Sequence, residues 1–132
     1  MELIIDTQAF IWFITGATEI SRNAKDAIIH PNNTLYISIA SLWEIAIKTK
    51  LGKLNINNAP YSSLIDDITE NGLQILSINF NHTIQTTLLD LHHRDPFDRI
   101  IIAQAISEEM NVVSIDEIFD RYLQNEKVRR IW

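Results

Sequence analysis

The sequence predicts an α/β fold, with a central, mostly parallel sheet of four to five strands flanked by helices, in one domain spanning residues 1–132. Two observations carry that prediction. Short apolar runs of strand composition alternate with longer segments whose apolar residues recur at helical spacing, the pattern of strand–helix units. Only three glycines and three prolines punctuate the chain, and no stretch is long or polar enough to be an interdomain linker. Such a sheet must be covered by helices on both faces.

The elements follow in order. Leu3-Ile4-Ile5 is the first strand, ended by Asp6. Thr7 to Ile14 reads as a buried helix through Ala9, Phe10, Ile11, Trp12 and Phe13, and Gly16 closes it. Ser21 to His30 is a more polar helix that stops before Pro31. Leu35 to Ser38 is the second strand, introduced by Asn32-Asn33. Ser41 is expected to cap a helix running to about Lys50, with Gly52 as its stop. Tyr61 to Asn71 places Leu64, Ile65 and Ile68 on one helical face, Gly72 ends it, and Leu73 to Ile78 is the third strand. His82 to Leu91 forms a short helix before a loop, His92 to Phe97. Ile101, Ile102, Ala105 and Ile106 make the apolar stripe of a helix over Asp98 to Met110. Val112 to Ile115 is the fourth strand, ended by Asp116, and Val128 to Trp132 a small fifth.

Composition narrows the chemistry. The chain is 46% apolar, enough for a core without disulfides or a structural metal. It contains no cysteine, which removes zinc fingers, disulfide scaffolds and thiol nucleophiles and suits a reducing cytoplasm. No apolar run approaches a membrane span, and the opening Met-Glu-Leu-Ile-Ile-Asp lacks the basic start of a signal peptide, so a cytoplasmic location is expected. Eleven Lys and Arg stand against 17 Asp and Glu, a net charge of −6. A nucleic-acid substrate would therefore require something to offset the charge, such as metal ions.

Parallel sheets place their ligand sites at the carboxyl ends of the strands. Asp6 and Asp116 stand at two such ends. Taken singly, each is explained as the N-cap of a following helix. Glu44 is different, being the only charge in Ile-Ala-Ser-Leu-Trp-Glu-Ile-Ala-Ile. Its spacing puts it in a stripe with Ala40, Ile47 and Leu51. The alternative is a surface pair with Lys48, one turn on. A helix so apolar elsewhere has little room for a solvent face, and an idle buried charge is costly, so a functional Glu44 is favoured.

Asp95 and Asp98 sit three apart in Arg-Asp-Pro-Phe-Asp-Arg, and capping explains only one of them. Asp95 serves as cap with Pro96 at the first helical position, while Asp98 points toward the sheet. Arg94 and Arg99 flank the pair and are expected to hold it or to meet a phosphate. Four converging carboxylates repel by roughly 3 kcal/mol per pair at about 5 Å, which divalent cations relieve. Oxygen-only ligands indicate a hard metal, Mg²⁺ or Mn²⁺, suited to phosphoryl chemistry. His92-His93 is a weak metal signal because adjacent side chains diverge, and phosphate contact or loop hydrogen bonding is expected there. Phe10, Trp12 and Phe13 are assigned to core or dimer surface. The chain has no phosphate-binding loop, dinucleotide fingerprint or nucleophile elbow.

At these residues the chain resembles the PIN-domain ribonucleases, specifically the toxin components of VapBC-type toxin–antitoxin pairs. The segments that carry the likeness are Leu-Ile-Ile-Asp-Thr-Gln-Ala-Phe-Ile-Trp, Ser-Ile-Ala-Ser-Leu-Trp-Glu-Ile-Ala-Ile-Lys, His-His-Arg-Asp-Pro-Phe-Asp-Arg-Ile-Ile-Ile-Ala-Gln-Ala and Val-Val-Ser-Ile-Asp-Glu-Ile-Phe. The resemblance covers essentially the whole chain and implies a PIN-like three-layer fold. It places the family's acidic set on Asp6, Glu44, Asp98 and Asp116, as catalytic residues and metal ligands. Asp6, Glu44 and Asp98 would be the principal ligands, with Asp116 orienting a second metal or its water. Asp95 would be supporting or substrate-side. Many relatives have Thr and then a basic residue where this chain has Ser114 and Ile115. Ser114 keeps the hydroxyl, whereas Ile115 departs from the pattern at a point of RNA contact.

The resemblance further implies a Mg²⁺- or Mn²⁺-dependent endoribonuclease that hydrolyses RNA by metal-activated water. It implies a homodimer and a cognate antitoxin whose tail blocks the cleft. A basic antitoxin segment suits the acidic net charge. Lys48, Lys50 and Lys53 offer either a local positive rim or a solvated helix face. Two alternatives are a receiver-like phosphotransfer domain and a catalytically weak interaction module of the same fold. Receivers, like Asp-x-Asp phosphatases, need a second acid near the first strand's end, where this chain has Thr7 and Gln8. The intact acidic set argues against the interaction module.

Overall fold

The computed structural model describes all residues 1–132. Five strands, β1 (Glu2–Ile5), β2 (Thr34–Ser38), β3 (Gln74–Leu76), β4 (Asn111–Val113) and β5 (Arg130–Ile131), form one sheet in the order β3-β2-β1-β4-β5. All four pairings are parallel. This order differs from the 2-1-3-4-5 order of flavodoxin-like sheets, which removes the receiver-like alternative. The helices are α1 (Thr7–Thr15), α2 (Arg22–Ile29), α3 (Ile39–Lys50), α4 (Leu64–Glu70), α5 (Phe80–Leu88), α6 (Pro96–Ser107) and α7 (Ile118–Leu123).

The central strand explains the layering. Leu3, Ile4 and Ile5 are all fully buried, and successive side chains of a strand point to opposite faces. Leu3 and Ile5 join a core with Phe10, Leu35, Ile37, Leu42, Ile45 and Leu64. Ile4 joins the core on the other face, with Ile101, Ile102, Val112, Phe119 and Leu123. The result is a three-layer α/β sandwich.

Element starts are set by side-chain caps. Asp6 caps α1 by accepting from the Ala9 N–H at 2.8 Å, and Gly16 ends that helix at φ +68°, a conformation that glycine adopts without strain. Asp95 caps α6 by accepting from the Phe97 N–H at 2.9 Å, with Pro96 in the first turn. Asn79 and His82 form a reciprocal capping box on α5.

Several expectations are corrected. α3 starts at Ile39, not after Ser41: Ser38 is the cap, accepting from the Ala40 N–H, and Ser41 lies buried inside the helix, where it accepts from the Thr7 hydroxyl at 2.9 Å. The cap therefore sits on the strand's last residue and leaves no loop between β2 and α3. The stripe through Glu44 is not uniformly buried, because Ala40 is inside while Ile47 and Leu51 are at the surface with Trp43. Ile65 faces solvent although Leu64 and Ile68 are core. In α1 only Ala9 and Phe10 of the six apolar residues are buried, and Trp12 packs on Trp132 with ring centroids 5.9 Å apart. β3 and β4 are three residues each, and the six-residue α7 is an element the apolar patterning did not single out.

Candidate active site

Strand register delivers the first acids. Ile5 pairs with Ile37 on one side and Val113 on the other, so Asp6 emerges at the sheet's carboxyl edge between Ser38 and Ser114. The Asp6 N–H donates to Val113 O at 3.0 Å, which fixes the turn out of the strand. Asp116 follows two residues beyond Ser114. Its N–H donates to the Ser114 hydroxyl and its own carboxylate accepts from the Ile118 N–H, each at 3.0 Å. Capping and site residue are therefore one and the same for Asp6 and Asp95, whereas Asp116 precedes Glu117, the N-cap of α7.

Asp6, Glu44, Asp95, Asp98 and Asp116 line a single cavity of about 210 Å³, with Thr7, Gln8, Ile11, Lys48 and Ile115 completing the wall. Four elements converge there: the ends of β1 and β4, the middle of α3 and the first turn of α6. A larger cleft of about 500 Å³ lies under residues 54–61, but its lining carries a single carboxylate, Asp67, and offers no multidentate cation site.

The electrostatics are those of crowded carboxylates. Asp6 is pushed up from 3.8 to about 6, chiefly by burial, against the lowering effect of hydrogen bonds from Ser114 and the Ala9 N–H; the charges of Asp98 and Asp116 add to the rise. Asp98 is also pushed up to about 6, first by burial and then by Asp95, with His93 lowering it and Glu44 raising it. A buried acid raised by its acidic neighbours gains from a cation. The donor set is carboxylate oxygen, which fits a hard divalent metal.

Glu44 is buried, yet not unpaired. Lys48 Nζ lies 2.9 Å from its Oε2, so the pairing set aside on sequence grounds does exist. Lys48 reaches in from the surface, about half exposed, and the pair stands at the cavity wall. Arg99 does not hold the aspartates. Its guanidinium donates to the carbonyls of Thr86 at 3.0 Å and Asp90 at 2.9 Å, with longer bonds to those of Leu89 and His93 and to the Tyr122 hydroxyl. It ties the end of α5 and the following loop to α6. Arg94 is exposed, with no hydrogen bond or ion pair.

The residue that sequence reasoning missed is His93. The adjacent rings do diverge: His92 packs edge-on against Tyr122, at 5.1 Å between centroids, whereas His93 turns into the site. His93 Nε2 lies 2.8 Å from Asp98 Oδ2 and 3.7 Å from Asp116 Oδ2. His93, Asp98 and Asp116 bring potential ligand atoms within 4.8 Å of one another. The one signal in the sequence was the placement of His93 in the same short segment as Asp95 and Asp98.

Comparison with known proteins places this arrangement. The PIN domain family model matches residues 3–123. No curated protein sequence gives a significant match. Among solved structures, the chain is similar to one in VapBC2 from Rickettsia felis bound to a DNA fragment from their promoter, with a TM-score of 0.73, 19% identity and 100% of both chains covered. A chain of DNA-bound VapBC from Salmonella typhimurium aligns at TM-score 0.71 and 18% identity over 98% of each. One from VapBC-5 of Mycobacterium tuberculosis, a member of the VapBC family of toxin–antitoxin systems, aligns at 0.65 and 16% over 98% of this chain and 96% of that one.

Proposed function

Because this chain belongs to the PIN domain family, we propose that it is a divalent-metal-dependent endoribonuclease, the toxin of a toxin–antitoxin pair. The observation that carries this reading is the convergence of Asp6, Glu44, Asp98 and Asp116 on one cavity at the carboxyl edge of the sheet. In this reading Asp6, Glu44 and Asp98 would hold Mg²⁺ or Mn²⁺, and Asp116 would orient a second ion or its water. Such a cation, when bound, would supply charge neutralisation at the scissile phosphate and activation of the attacking water.

The chain's own residues prepare that chemistry. The Ala9 N–H bonds to Asp6 at 2.8 Å and fixes its direction, and both it and the Ser114 hydroxyl favour the ionised form. Lys48 neutralises Glu44 from the rim and is the one cation lining the cavity, the side from which a phosphodiester would approach. Ile115, half exposed at the same rim, offers apolar contact where a charged residue would have bound phosphate.

The partner reading rests on the structural neighbours, which come from VapBC complexes, and on the surface of this chain. Trp43, Phe80, Leu88 and Leu91 are large apolar side chains left exposed, the kind of surface that a second copy or an antitoxin covers. Growth assays test the pairing. Expression of the wild-type chain alone should arrest growth, Asp6→Ala should not, and co-expression with the cognate antitoxin should restore growth and yield a co-purifying complex. A wild-type chain that is harmless at high expression would end the toxin reading.

A further inference from the structure

Building on the cation-site reading above, we propose that His93 is a positioning residue of the acidic site: its Nε2–H holds Oδ2 of Asp98 and faces Oδ2 of Asp116, fixing the Asp98 carboxylate so that its Oδ1 is left for a divalent cation.

The loop geometry carries the argument. His93 Nδ1 accepts from the Asp95 N–H at 3.4 Å, which places the ring proton on Nε2. That proton faces Asp98 Oδ2 at 2.8 Å, a charge-assisted hydrogen bond, and Asp116 Oδ2 at 3.7 Å. The backbone of His93 is itself anchored. Its N–H donates to the Tyr122 hydroxyl at 2.7 Å, and its carbonyl accepts from Arg99 at 3.3 Å. Arg99 also grips Thr86, Leu89 and Asp90, so the whole loop from α5 to α6 is held from the residue next to Asp98. These backbone contacts fix the path of the loop that carries His93. The ring is delivered to one place, and that place is between two acids of the site. Residues that orient ligands by hydrogen bonds typically change metal affinity by about 10- to 100-fold when removed.

The test uses Mn²⁺ as probe and needs no substrate. Free Mn²⁺ is followed by electron paramagnetic resonance during titration into the purified full chain, for wild type, His93→Ala, His93→Gln and His93→Leu, with thermal melts run in parallel. Glutamine puts an amide N–H near the position of Nε2, and leucine fills the space without a donor should alanine destabilise the loop. His93→Ala and His93→Leu should weaken Mn²⁺ binding at least about tenfold, and His93→Gln should stay within about threefold of wild type. Folded Ala and Leu variants that bind like wild type overturn the role of His93 while leaving the cation site intact. Loss in His93→Gln as deep as in His93→Ala overturns positioning in favour of direct contact between ring and cation. A wild type that binds no Mn²⁺ overturns the cation-site reading itself.

Discussion

Replacing Asp98 by asparagine removes one negative charge from the cavity yet leaves an amide oxygen where His93 Nε2 donates at 2.8 Å. The change therefore isolates charge from hydrogen bonding. In the native protein the Asp98 carboxyl rises from 3.8 to about 6, which at about 1.4 kcal/mol per tenfold in proton affinity corresponds to roughly 3 kcal/mol of native-state destabilisation once the group is ionised. The side chain is 22% exposed, so this is an upper bound, and a gain of about 1–3 kcal/mol is expected on neutralisation. For a chain of this size that is roughly 3–10 °C in melting temperature.

The pH dependence has a definite sign. The native carboxyl binds its proton more tightly than the unfolded one, so native protein holds more protons between about pH 4 and 6 and loses stability as pH rises through that window. Asp98→Asn should melt above wild type at pH 7.5 in chelator, and the gap should close as pH falls toward about 4. Millimolar Mg²⁺ should narrow the gap by stabilising wild type selectively. Thermal melts of both proteins across that range, with chelator and with Mg²⁺, decide it. A variant that melts at or below wild type at pH 7.5 in chelator, or a gap independent of pH, refutes the crowded-acid account.

Three further outcomes follow from the contacts. Asp6→Asn keeps the oxygen that caps α1 whereas Asp6→Ala loses it, so in chelator the Asn variant should be more stable by about 1 kcal/mol by denaturant titration. Lys48→Met strips Glu44 of its partner at 2.9 Å; the metal-free protein should melt lower than wild type, and added Mg²⁺ should recover most of the loss. His82, fully buried in the first turn of α5, meets Glu108 at 2.7 Å, so Glu108→Ala should cost about 1–3 kcal/mol of stability, Glu108→Gln much less, and both should leave cleavage unchanged.

The fold was legible because the strands are short apolar runs and the sheet is parallel. That arrangement alone sends Asp6 and Asp116 to one edge once Ile5 pairs with Val113. Asp95 was legible as the cap of α6 because proline fixes where that helix begins, but its place in the cavity wall beside Asp98 was not. Glu44 was singled out on an argument that the structure does not support: the helix keeps an apolar face in solvent, and Lys48 pairs with the carboxylate. Its burial comes from α3 packing beside α6 and α1, which no local pattern encodes. The roles of Arg99 and His93 were illegible for a related reason. Each depends on the path of one loop, set by carbonyls from Thr86 to His93 and by the hydroxyl of Tyr122. The start of α3 was misplaced because Ser38 and Ser41 are equally good caps in sequence, and only the strand's length decides between them.

RNA cleavage supported by a cation on Asp6, Glu44, Asp98 and Asp116 is tested most directly by a cleavage assay. Purified wild type and Asp98→Asn are each incubated with a structured RNA in Mn²⁺ or Mg²⁺, and in excess chelator. The account predicts internal cuts by wild type with metal, none in chelator, and a loss of at least about 100-fold in the variant. Cleavage that persists in chelator, or an Asp98→Asn protein as active as wild type, would contradict it.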